Sequence, residues 1–299
     1  MIGSTLNDRF KLEKKLGQGG MGTVYLARDT ELDRTVAVKL LHQLKGEEVE
    51  RQIKIEAQIT ARLQHDHIVR LYDIGRSEGM LFLVMEVVDG VSFHYRWQKL
   101  PVAERLRILK EVAEALDYAH HQGVIHRDIK PGNILLSSSD RAKLSDFGLS
   151  VKVEDAHATK SVKGTPLYMS PEQASGKKLD HRTDLYALGV ILYECVTGAP
   201  PFQGPLMAVM TQHVTSPPEP PRQRNPEISE ALEDLILSLL AKKPDERPAT
   251  GRAIAEALSP LIAQAGVTGE AAADVGRTHS SSASGGPTPS QPGALSLGE

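Results

Sequence analysis

Asp128, Lys130, Asn133 and Asp146 crowd into one stretch of chain, within His126-Arg127-Asp128-Ile129-Lys130-Pro131-Gly132-Asn133 and, a short way on, Asp146-Phe147-Gly148. Phosphoryl transfer needs such parts: a carboxylate that can accept a hydroxyl proton or orient the hydroxyl, oxygen ligands for Mg²⁺, and a lysine to offset phosphate charge. Asp128 suits the base, Asn133 and Asp146 the metal, Lys130 the phosphate. Either half alone is weak, because Asp-Phe-Gly is a common turn and His-Arg-Asp reads as a polar loop. Two upstream elements sharpen the signal. Gly17-Gln18-Gly19-Gly20-Met21-Gly22-Thr23-Val24-Tyr25 is rich in the residue that lets main chain approach phosphates, and Ala37-Val38-Lys39 supplies a further cation.

In order and approximate spacing, these four elements resemble the signature set of the eukaryotic-like Ser/Thr protein kinases. The wording of Val124-Ile125-His126 onward, and of Gly164-Thr165-Pro166-Leu167-Tyr168-Met169-Ser170-Pro171-Glu172-Gln173, is similar to the bacterial branch with its receptor-type catalytic domains. The resemblance runs over about residues 8 to 264. It implies an α+β bilobal fold, a small antiparallel β-sheet lobe with one helix (about 8–88) and a larger, mainly helical lobe (89–264), with ATP and Mg²⁺ or Mn²⁺ in the cleft. It also implies catalytic roles for Asp128, Lys130 and Asn133, metal ligation by Asn133 and Asp146, and protein Ser/Thr hydroxyls as acceptors. Lys130 after the aspartate follows the Ser/Thr pattern rather than the tyrosine-specific one, and Thr165 suits the same class by bonding Asp128.

The elements that must position these groups can be read from periodicity. Val24, Leu26, Val36 and Val38 alternate at period two around an Asp33-Arg34 break, so the glycines are expected between strands and not before a helix. Lys39, between Val38 and Leu40, would ordinarily point outward. The resemblance instead requires it to bridge nucleotide phosphates and to be held by a helical glutamate. That helix is expected within Glu47 to Leu63, where Val49, Ile53, Ala57 and Ile59 recur loosely at helical spacing. Glu56 matches the pattern, while Glu47, Glu48 and Glu50 read as exposed first-turn charges favoured by the helix dipole. Thr60 stands where the family's internal stack, here Leu71, His126 and Phe147, usually has an apolar residue.

Leu81 to Gly90 reads as a buried strand entering a glycine turn, by resemblance the hinge, with adenine bonding backbone near Glu86 and Val88. Met85 is expected at the back of that pocket. Val24, Ala37 and Leu135 are expected on the faces of the base, beside Leu16, Gly17, Gly19, Gly20 and Gly22 of the lid, although such apolar residues would belong to a core in either case. Residues 102 to 121 carry Leu106, Leu109, Val112, Ala113, Leu116 and Ala119 on one stripe, closed by Gly123, as a core helix delivering the catalytic loop. By resemblance Asp184 bonds that loop's backbone and Glu172 pairs with Arg247. Arg127 is expected to await an anion, a phosphate on Thr159 or Ser161 before Ser150, which would order the loop through arginine contacts.

Composition bounds the rest. With 299 residues, 40% hydrophobic content and a net charge of −3, the chain can bury a sizeable core and offers no general surface for nucleic acid. The single cysteine, Cys195, sits in an apolar run and excludes an intrachain disulfide. No run approaches a membrane span, so a cytoplasmic protein, or the cytosolic part of a membrane-anchored one, is expected. Residues 265–299 form a Ser/Gly/Pro/Ala-rich segment expected to be disordered, as a tail or linker to 1–264. The family further implies homodimers that phosphorylate in trans. Two other readings are a nucleotide-binding pseudokinase, disfavoured because Lys39, Glu56, Asp128, Asn133 and Asp146 are all retained, and a small-molecule phosphotransferase, disfavoured by the Gly164 to Glu172 segment.

Overall fold

Alternating apolar residues give the first lobe its strands. In this computed structural model, which describes residues 1–20, 22–42, 46–147 and 166–278 with side chains to 265, β1 (Thr5–Leu6), β2 (Phe10–Gln18), β3 (Gly22–Asp29), β4 (Arg34–Leu41), β5 (Leu71–Ser77) and β6 (Met80–Met85) form one antiparallel sheet in the order β1-β2-β3-β4-β6-β5. The expected hairpin is β3 to β4, in register Val24↔Lys39 and Leu26↔Ala37. Gly22 has no substitute there, since a Cβ would lie 2.2 Å from the Leu40 carbonyl oxygen. Behind the sheet packs α1 (Glu47–Thr60), with Ile53, Ala57 and Thr60 buried. Asp29 anchors the lobe's end: it is fully buried and takes two bonds from Arg9 at 2.7 and 2.9 Å. Those bonds bring its carboxyl down to about 2.

The second lobe is built around two helices, one with a buried apolar stripe and one buried almost all round. After β7 (Gly90–Ser92) and α2 (Phe93–Arg96) comes α3 (Val102–His121), whose expected stripe is wholly buried. β8 (Ile134–Ser137) and β9 (Ala142–Leu144) join β7 in a three-stranded sheet beneath the cleft. α4 (Pro171–Ala174) opens on a Ser170 capping box. α5 (Arg182–Thr197) buries Cys195 among its neighbours, and burial pushes that thiol up, away from reactivity. α6 (Leu206–Thr215), α7 (Pro221–Arg224), α8 (Glu230–Leu239) and α9 (Gly251–Thr278) complete the lobe.

α5 and α8 approach closely at Gly189, where a Cβ would sit 2.6 Å from that of Leu239. α9 continues through the boundary expected at 264 and is described as far as Thr278. Glu270-Ala271-Ala272-Ala273 offers helix formers there that outweigh the neighbouring glycines. Among the described residues, no helix is long and apolar enough to cross a membrane.

Candidate active site

The catalytic loop is held from below by one carboxylate. Asp184, fully buried near the start of α5, accepts the backbone N–H of His126 and of Arg127, each at 2.8 Å, and the Nε2–H of His120 at 2.8 Å. Three donors satisfy a charge that would otherwise be costly to bury. Arg127 takes φ of 67°, a left-handed conformation that costs a non-glycine residue about 1–2 kcal/mol. The Gln173 amide also pins it by donating to its carbonyl at 2.8 Å. Strain held by several independent bonds is typical of a functional turn.

On this base the reactive groups converge. Asp128 Oδ2 accepts from Lys130 Nζ at 2.6 Å and from Asn133 Nδ2 at 3.0 Å. Asn133 Nδ2 donates again to the Asp128 carbonyl at 2.7 Å, which fixes the amide and leaves its oxygen as the atom able to hold a cation. Ser145 ties the next segment to this one: its N–H and hydroxyl both reach the Asn133 carbonyl, at 2.9 and 3.0 Å. His126 donates from Nε2 to the Ser145 carbonyl at 2.8 Å, and its ring lies 4.6 Å from that of Phe147. Asp146, at φ 64°, follows directly. Asn133 and Asp146 therefore offer oxygen donors from adjoining backbone, a set that fits a hard cation completed by water and phosphate oxygens.

Lys39 lies inward, 5% exposed, against the ordinary expectation for a lysine in a strand. Its partner is not the expected one. Lys39 Nζ donates to Asp146 Oδ1 at 2.7 Å, whereas Glu56 Oε1 lies 3.4 Å from Arg127 Nη1. Glu56 Oε2 and Arg127 Nε are buried without hydrogen-bond partners among the described residues. Burial raises the Glu56 carboxyl above its ordinary value, and the Arg127 charge only partly offsets this. Lys39 and Glu56, expected to pair with each other, are thus paired elsewhere, with Asp146 and Arg127. Thr60 adjoins this arrangement in a recess shared with Leu71, Met85, Asp146 and Phe147. Its hydroxyl is buried without a partner among the described residues, so the helix carrying Glu56 has a polar contact where an apolar one would pack.

Around the cleft, Ala37 pairs with Met85 across the sheet and Leu135 with Ser92, while Leu16 is 48% exposed on the lid strand. Glu86 donates its N–H to the Arg70 carbonyl at 2.9 Å and accepts Lys143 at 2.9 Å. Val88 follows, half-buried, in the connection to β7. Beyond the cleft, Glu172 and Arg247 form the expected pair, doubly bonded at 2.7 and 2.8 Å. Gly148, Ser150, Thr159, Ser161 and Thr165 lie outside the described residues. Sequence reasoning did not find Ser145, Gln173 or the tie between His213 and Leu167, because each acts through a main-chain atom distant in sequence.

A glycine-lidded hairpin, an inward strand lysine and an Asp-Lys-Asn loop braced by a helix aspartate, set between a sheet lobe and a helical lobe, define the protein kinase class. Residues 10–259 match the protein kinase domain family, and the chain belongs to it. It is 41% identical over 272 residues to the serine/threonine-protein kinase pkn3 of Myxococcus xanthus, covering 84% of this chain and 50% of that protein. It is 42% identical over 256 residues to the serine/threonine-protein kinase PknB of Mycolicibacterium smegmatis, covering 81% and 41%. The chain therefore spans half or less of these relatives' length. The Mycobacterium tuberculosis PknI kinase domain superposes with a TM-score of 0.72 at 31% identity, covering 87% of this chain and 98% of that one.

Proposed function

We propose that this chain is a Ser/Thr protein kinase that transfers the γ-phosphoryl group of Mg-ATP to protein hydroxyls. The observation that carries the reading is the Asp128 carboxylate held between Lys130 and Asn133, with Asp146 fixed beside it through Ser145. Asp128 accepts or orients the acceptor's proton, and Lys130 offsets charge on the transferred group. Lys39 and the backbone of Gly17, Gly19, Gly20 and Gly22 hold phosphates, while Leu16, Val24, Ala37, Met85 and Leu135 enclose the base against Glu86 and Val88. Asn133 and Asp146 would hold Mg²⁺, which supplies charge at the phosphates when bound. Relatives named as serine/threonine-protein kinases support the acceptor class, as do Lys130 and, by resemblance, Thr165.

The ion pairs of Lys39 and Glu56 support a resting state that an anion relieves. Lys39 occupies a metal ligand and Glu56 occupies Arg127, so a phosphate on Thr159 or Ser161 that competes for Arg127 frees Glu56 to draw Lys39 off Asp146. Phosphorylation in trans between two copies would deliver it. Incubation with Mg²⁺ and γ-labelled ATP beside Asp128→Asn, with label mapped by mass spectrometry, tests both parts. Label on Thr159 or Ser161 that the variant lacks is expected; a bound nucleotide with no label on the chain or on any Ser/Thr protein would sink the reading.

A further inference from the structure

His213, on α6, is fully buried and unused by the transfer chemistry, yet both of its ring nitrogens are engaged. Nε2 lies 3.1 Å from the Leu167 carbonyl oxygen and Nδ1 lies 2.8 Å from the Tyr186 hydroxyl. A carbonyl can only accept, so Nε2 carries the proton and Nδ1 accepts from Tyr186. The ring stands edge-on to Phe202 at 4.9 Å and to Tyr186 at 5.6 Å. The charges facing this cluster are Lys242, 4.5 Å from the Phe202 centroid, and Arg247, 4.8 Å from that of Tyr186. Burial first, then the Lys242 charge, brings the His213 imidazole down to about 4. It stays neutral, with one tautomer fixed by its neighbours.

The next residue is anchored separately. The Tyr168 hydroxyl donates to Glu194 Oε2 at 2.7 Å, so the turn Pro166–Tyr168 is clamped from α6 through His213 and from α5 through Glu194. Through Asp184, α5 also holds the main chain of His126 and Arg127. Asp184 and Tyr186 lie two residues apart on that helix. One rigid element therefore references both the loop bearing Asp128 and, by way of Tyr186 and His213, the turn after Gly164-Thr165.

We propose that His213 is a positioning residue for the acceptor protein: by holding the Leu167 carbonyl it fixes the turn leading into the segment that Gln173 ties to Arg127, next to Asp128 where the acceptor hydroxyl must lie. This rests on the protein-kinase reading above. The role predicts a loss confined to the acceptor, because neither His213 nor Leu167 is among the residues assigned above to the nucleotide.

The test compares His213→Phe, which keeps a ring but no donor, with His213→Gln, whose amide N–H can reach the Nε2 position, and with Tyr186→Phe. Each is assayed with a Thr-containing peptide library and, without acceptor, for ATP hydrolysis; thermal unfolding monitors the fold. For His213→Phe the acceptor KM is expected to rise about tenfold, the scale of one lost buried hydrogen bond, with the KM for ATP and the hydrolysis rate within about twofold. His213→Gln should recover most of that loss and Tyr186→Phe should show a smaller rise. Equal losses toward ATP and acceptor, an unchanged acceptor KM, or a folded His213→Gln as poor as His213→Phe would overturn the proposal. Should His213→Phe fail to fold, the Gln and Tyr186→Phe variants still decide it. A wild-type chain that hydrolyses ATP but phosphorylates no peptide would overturn the kinase reading itself, and this role with it.

Discussion

Arg247→Met is the substitution whose cost follows most directly from geometry. The Arg247 side chain is wholly enclosed and donates five hydrogen bonds: to both Glu172 oxygens at 2.7 and 2.8 Å, and to the carbonyls of Ala241 at 2.8 Å, Arg182 at 3.0 Å and Lys242 at 3.2 Å. Methionine fills similar space and supplies none of them. Glu172, 5% exposed, would keep the Thr183 hydroxyl at 2.7 Å but lose both guanidinium bonds. Breaking a buried pair from one side costs about 3–5 kcal/mol, which in a domain of this size lowers Tm by roughly 6–20 °C.

The pH dependence carries its own sign. Burial works to raise the Glu172 carboxyl, but the Arg247 and Thr183 bonds hold it below its ordinary value, so in the wild type it adds stability at neutral pH that is lost as pH falls through the carboxylate range. Without Arg247, burial dominates, the acid binds a proton more readily, and the variant's deficit should shrink between about pH 7 and pH 5. Urea unfolding followed through Trp97, the single tryptophan and a member of the second lobe's core, measures both effects. Glu172→Gln/Arg247→Met should recover at least about 2 kcal/mol over Arg247→Met, the coupling expected of directly bonded partners. A single-variant loss under about 1.5 kcal/mol, or a double variant no better, would refute the argument.

Acid should also act through His213. Its folded value near 4 lies below the ordinary 6.5, so its contribution is fully present above about pH 6.5 and is lost as pH falls toward 4. The loss reaches about 3 kcal/mol at most, and a Tm-against-pH series in which His213→Gln shows the same slope would contradict it. The glycines of the lid should part company. A Cβ at Gly19 meets nothing within 4 Å, so Gly19→Ala should leave urea stability unchanged while weakening ATP binding in calorimetry by about tenfold, if phosphates lie against that main chain. Gly22→Ala, driven onto the Leu40 carbonyl, should instead lose about 1–3 kcal/mol of stability.

The elements that carry the site were legible because their side chains report their surroundings. The stripe from Leu106 to Ala119 is apolar only where α3 faces the core, and Val24, Leu26, Val36 and Val38 alternate because a pleated strand must. The roles of Asp128, Asn133, Asp146 and Lys39 came from motif resemblance, and for Lys39 periodicity alone pointed the wrong way. Partner choice was hidden. Whether Lys39 meets Glu56 or Asp146 depends on how α1 seats against the cleft, and local pattern does not encode that. Nothing in the local pattern around His213 singled it out, since it stands among Thr211, Gln212 and Thr215. Tyr186 and Leu167, which define it, stand 27 and 46 residues away. The extent of α9 turned on a competition between alanines and glycines, where propensities differ by at most about 1 kcal/mol per residue.

The span between Glu172 and Arg247, 75 residues, has a temporal side. A ribosome makes the acid long before it makes the base, at about 5–20 residues per second. For those seconds the nascent second lobe has a carboxylate destined for its interior and nothing to neutralise it, so its final compaction waits for Arg247 to clear the exit tunnel. The catalytic loop is braced from α5, which begins just after Glu172 and whose Arg182 carbonyl also accepts Arg247. A chain interrupted before Arg247 would therefore be expected to lack a settled active site as well as a settled core. Completion of the site is thereby tied to completion of the chain as far as Arg247.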